Sequence, residues 1–79
     1  MKARRAYRLI VSRGGRGPAW LSHPGRVDHI EIVAIDSGEV VLFWDLPAAQ
    51  ARRLVRALRG DLSRLEADEL LAAWRDQQR

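Results

Sequence analysis

Cysteine is missing from this chain of 79 residues. Its absence excludes disulfides and cysteine-based zinc sites, two of the usual supports of a small domain. It also accords with a reducing compartment, so the expected location is cytoplasmic. Histidine occurs only as His23 and His29, at a spacing that fits no metal motif, and neither metal nor cofactor is expected. There is no apolar run of about 18 residues and no basic leader ahead of an apolar stretch, so neither a membrane span nor a secretory signal is predicted. Aromatic residues make up only 6% of the chain.

Charge is missing by segment. Residues 1–26 carry seven bases (Lys2, Arg4, Arg5, Arg8, Arg13, Arg16, Arg26) and no acid. Residues 27–46 carry five acids (Asp28, Glu31, Asp36, Glu39, Asp45) and no base. The remainder is mixed, and the net charge is +4. An unopposed arginine block is either a surface for an anion or one half of an internal pairing. If the first strand lies beside the acidic hairpin, Arg4, Arg5 and Arg8 can meet Asp28 and Glu31 across the sheet, each exposed pair contributing about 0.2 to 1 kcal/mol.

What is present reads as one α+β domain of order β-β-β-α-α, a three-stranded antiparallel sheet followed by an αα-hairpin. The β-branched alternation over 6–12 suits a first strand. Arg13-Gly14-Gly15-Arg16-Gly17-Pro18 cannot sustain regular structure, and Trp20 and Leu21 in the loop that follows are expected to fold back as a lid. Two apolar runs, about 27–35 and 40–45, flank Asp36-Ser37-Gly38-Glu39 and predict a hairpin. With Ser37 and Gly38 as its loop, Ile32 falls opposite Phe43, Val33 opposite Leu42, and Glu31 opposite Trp44. Both sheet faces then come out apolar: Ile30, Ile32, Ala34, Val41 and Phe43 on one, Val33, Ile35, Val40, Leu42 and Trp44 on the other.

From Pro47 the period changes to that of a helix. Ala51, Leu54, Val55, Leu58, Leu62 and Leu65 form one stripe that continues through Gly60. Ala67, Leu70, Leu71 and Trp74 form a second stripe in a different phase, which places a corner near Leu65-Glu66. The helices are predicted at about 47–65 and 67–77, with Asp68 and Glu69 at the positive end of the second. Only the first few residues and 77–79 read as loose ends.

Function follows from what those elements leave over. A domain of this size buries only about 60% of its unfolded surface, so a partner is expected to complete it. The two helices cover one sheet face. The other, through Val33, Ile35, Val40, Leu42 and Trp44, points to self-association or a protein partner, and the leading expectation is a non-enzymatic interaction or assembly module. The competing expectation is nucleic-acid binding. Arg13 and Arg16 stand in a glycine loop of the kind that tracks phosphate, and Arg52, Arg56 and Arg59 line a helix flank at i, i+4 and i+7. Catalysis is not expected: Ser22 and His23 are neighbours along the chain and no nucleophile, base and acid form a recognisable set. No small-molecule substrate is indicated, and membrane binding is not expected because the core claims the apolar helix faces.

Overall fold

Hairpin chemistry sets the fold. The computed structural model describes residues 1–13 and 27–77. Its elements are α1 (Ala3–Ala6), β1 (Tyr7–Ser12), β2 (Val27–Ala34), β3 (Val40–Pro47), α2 (Ala48–Arg64) and α3 (Ala67–Arg75). The strands form one antiparallel sheet in the order β1-β2-β3. This is the expected β-β-β-α-α order with a short helix added in front. The proposed Trp20-Leu21 lid lies outside the described residues.

The β2–β3 connection differs from its sequence-based reading by two residues of loop. The N–H of Gly38 donates to the carbonyl of Ala34 at 2.8 Å, and the N–H of Ala34 donates to the carbonyl of Glu39 at 2.8 Å. Ile35 to Gly38 therefore form a four-residue loop, closed by Gly38 in the left-handed region at φ 76°, where a Cβ would be strained. Beyond the turn, Val33 pairs with Val40 but Ile32 pairs with Leu42, so Val41 is a bulge residue skipped by the ladder. Trp44 then faces Ile30, and Phe43 faces Glu31.

That shift of one residue corrects the predicted register and exchanges the faces of β3. Leu42, predicted on the outer face, is buried with Ile30 and Ile32, while Trp44 and the bulged Val41 pack against the same core. Phe43, predicted with Ile30 and Ile32, lies on the opposite face and is 45% exposed. On β1, Leu9 pairs with Ile32 and Val11 with Ile30, so Leu9 and Val11 join the inner face. Arg8 lies opposite Val33 and Ile10 opposite Glu31. Arg4 and Arg5 belong to α1, not to a strand. Of the expected cross-sheet pairings of Arg4, Arg5 and Arg8 with Asp28 and Glu31, the ladder therefore offers only Arg8 with Glu31, as diagonal neighbours on the outer face.

Helix α2 lies on the inner face with Ala51, Leu58 and Leu62 buried, the positions its stripe predicted, and runs through Gly60 without a break. Each fully buried Ile or Leu contributes about 1.5 to 3 kcal/mol. Leu65 turns extended and Glu66 opens α3 with a capping box: its N–H donates to the Glu69 carboxylate at 2.9 Å, and its own side chain accepts from the Glu69 N–H. Helix α3 stays on the same side of the sheet, where Trp74 packs edge-on against Trp44 at 5.9 Å between ring centroids. The Trp74 indole N–H donates to Asp61 at 2.9 Å, which ties α3 back to α2.

The first residues are not a loose end. The N–H of Ala3 donates to the Leu65 carbonyl, and the N–H of Ala67 to the Met1 carbonyl, both at 2.9 Å. The amino terminus lies 2.8 Å from the Glu66 carboxylate. Ala3 is fully buried where the strap crosses the corner. The amine's hydrogen bond and charge, with Lys2 adding to them, hold the Glu66 carboxyl below the usual carboxylate range. The stabilisation this pairing supplies is present above the ordinary carboxyl pKa and is lost as pH falls through the depressed value.

Gly60 sits inside α2, and a Cβ added there would meet nothing within 4 Å. Gly60→Ala is expected to raise the stability by about 0.5 to 1 kcal/mol, measured by urea denaturation. A decrease would show that the glycine serves an unseen close approach.

Candidate functional site

The inner face is filled by the core except at one end. The β1–β2 ladder stops at Ser12 and His29, so Arg13 is the first residue past it. Asp28, two residues before Ile30, shares the inner face and is only 5% exposed. Helix α2 crosses this end with its N-terminal half. A groove of about 550 Å³ remains there, lined among the described residues by Val11 and Asp28 from the sheet, by Arg13 just past β1, and by Ala51, Arg52, Val55, Arg56 and Arg59 from α2.

Helical phase explains the lining. At about 100° per residue, Arg52, Arg56 and Arg59 fall roughly a right angle from the buried Ala51, Leu58 and Leu62 stripe. They flank the core without entering it, and all three are exposed. Val55 lies between flank and stripe and is half-buried. With Ala51 and Val11 it makes an apolar floor beneath a rim of guanidinium groups. The row spans about 10 Å at 1.5 Å of rise per residue. Arg53 points about 100° further round the helix and does not line the groove.

Four of the five arginines singled out from the sequence thus meet on one groove. Arg16, the fifth, lies outside the described residues, as do Ser22 and His23. Among the described residues, the ion pairs join Met1 and Lys2 to Glu66, His29 to Asp45, and Arg64 to Asp61. None takes a groove arginine. Arg52, Arg56 and Arg59 are therefore like charges at helical neighbour spacing, an arrangement that costs about 0.2 to 0.5 kcal/mol per pair.

The second predicted surface is split by the register. Leu42 is in the core and Trp44 faces the helices, whereas Val33 and Val40 share the outer face with Ile10 and Phe43. Ile35 is in the turn. On that face His29 pairs with Asp45 directly across the ladder and stacks on Phe43 with ring centroids 6.4 Å apart. Asp28, Val11 and Val55 were missed as groove residues, although Asp28 keeps the parity of Ile30 and Ile32.

Among the described residues no three His, Asp or Glu side chains are placed to share a metal ion, and no helix is long and apolar enough to cross a membrane. Comparison with protein-family models, with curated proteins and with solved structures found no match.

If the arginine row opposes folding as its spacing requires, Arg56→Gln will stabilise the protein by about 0.5 kcal/mol at low salt, because Gln matches Arg in helix propensity and removes the like charge. The gain should shrink in about 1 M salt, where charges are screened within about 3 Å. Thermal melts at two ionic strengths measure it. Loss of stability would mean that Arg56 is held by an internal partner.

Proposed function

We propose that this protein is a non-enzymatic binding module that holds nucleic acid in the groove between the end of β1 and the flank of α2. The convergence of Arg13 with Arg52, Arg56 and Arg59 on that groove carries the reading. Guanidinium groups make charge-assisted, forked hydrogen bonds to phosphate oxygens. A row of three along one wall with a fourth across from it follows a chain of phosphates better than it surrounds a single ion. Binding releases counterions, and its affinity falls with salt in proportion to the phosphates engaged. For four contacts the log-log slope is about −2.8 on a single strand and −3.6 on a duplex. Titrating a labelled oligonucleotide in rising salt should give a slope in that range, which Arg52→Ala reduces by nearly one contact and Arg53→Ala leaves unchanged. Absence of binding at about 50 mM salt, where phosphate binders are strong, would refute the reading.

A second reading, self-association, is favoured by the outer sheet face. Ile10 and Val40 there are 37% and 46% exposed, beside Val33 and Phe43. The face is three strands wide, about 10 Å between the outer two. With side chains it offers a few hundred Å², short of the roughly 800 Å² per partner of a stable interface. Association through it is therefore weak. Sedimentation should show mass rising with concentration and Ile10→Lys abolishing the rise; a constant monomer mass would contradict it.

A further inference from the structure

Resting on the nucleic-acid reading of the groove, we infer that its ligand is an unpaired strand, with a base on the apolar floor and its phosphates on the arginine rim. Two observations separate this from duplex binding. The first is depth. A duplex presents phosphates outermost with its bases stacked behind them, so it needs only a convex basic ridge such as the α2 flank. It would leave the groove of about 550 Å³ that the described residues line beside that ridge unused. That volume lies within the about 300 to 1,000 Å³ of pockets that enclose small organic ligands, and is ample for one base and its sugar.

The second is the order of chemistry from rim to floor. Arg52, Arg56 and Arg59 are exposed, Val55 is half-buried and Ala51 is buried, with Val11 facing them from β1. On the helix wall charge is therefore outermost and apolar surface innermost, while Val11 across from it is 38% exposed and open to a ligand. A single strand satisfies both levels at once. Its backbone lies along the arginine row, about 10 Å or roughly three steps of a stacked strand, while one base turns inward. Base faces are apolar and sequence-tolerant ligands, so a preference for unpaired strands without strong sequence choice is the expected behaviour.

The test compares a mixed-sequence single-stranded oligonucleotide with the duplex of the same sequence, by fluorescence anisotropy at one salt concentration and then across a salt series. The single strand is expected to bind about tenfold tighter or more, the scale of one stacked base. Val11→Ser should cost the single strand about tenfold through lost apolar contact, with its salt slope unchanged, and leave duplex binding unaltered. Val11→Thr, which keeps the β-branched shape, should give a smaller loss in the same direction if the serine variant folds poorly. Equal or tighter duplex binding, or no effect of either Val11 variant, overturns the unpaired-strand inference and leaves the phosphate reading standing. Equal competition by a polyglutamate peptide at matched charge also overturns it, since the groove would then be reading charge alone. Failure of both oligonucleotides to bind removes the underlying reading instead.

Discussion

Side chains alternate along a strand, so skipping one residue transfers everything beyond it to the other face. In this protein that residue is Val41. The four-residue turn closed by Gly38 sets Val33 against Val40, and the bulge then brings Leu42 opposite Ile32 and Trp44 opposite Ile30. The ladder thereby delivers one thoroughly apolar face, with Ile30, Ile32, Leu42 and Trp44 together, and one face on which His29, Glu31 and Asp45 alternate with Val33 and Phe43. Only the first can receive the Ala51, Leu58 and Leu62 stripe of α2. Without the bulge, Phe43 would enter and Leu42 would leave, and the helix would have no complementary surface.

The groove is a consequence of that docking. Once α2 is seated by its stripe, its arginine flank is carried round to the end of the sheet where the β1–β2 ladder has stopped and Arg13 begins. The same seating fixes α3 through Asp61 and Trp74, and the strap of residues 1–3 closes the corner behind Leu65. The molecule thus spends its apolar surface on a one-sided core and lines one groove with four of its arginines. That charge is unfavourable to the helix that bears it.

Periodicity made the helices legible. The two stripes differ in phase, and that difference alone placed the corner at Leu65-Glu66, where the structure has it. Gly60 was correctly read through because helical phase continues across it. The strands were legible as elements but not as a register: turn composition shows that Gly38 takes a positive φ without showing whether it is the second or fourth loop residue. That ambiguity moves the pairing by two residues and keeps the faces; the bulge at Val41, which no turn residue signals, misassigned Leu42, Trp44 and Phe43. The first residues were misread because their anchoring comes from backbone hydrogen bonds to Leu65 and Ala67, which leave little signal in side-chain pattern beyond the small Ala3. At the site, the arginine row was legible from helical spacing. Its apolar floor was not, because Val11 and Val55 become neighbours only through the packing of α2 on the sheet.

The central claim is that the basic edge, and no other surface, receives the ligand. Arginine side-chain N–H resonances, recorded while a short single-stranded oligonucleotide is added, test it most directly because each guanidinium reports on its own contacts. Shifts at Arg13, Arg52, Arg56 and Arg59, with Arg53, Arg64 and Arg75 unmoved, are the predicted result. Shifts spread evenly over all arginines, or centred on Arg8 and the outer sheet face, would contradict the account.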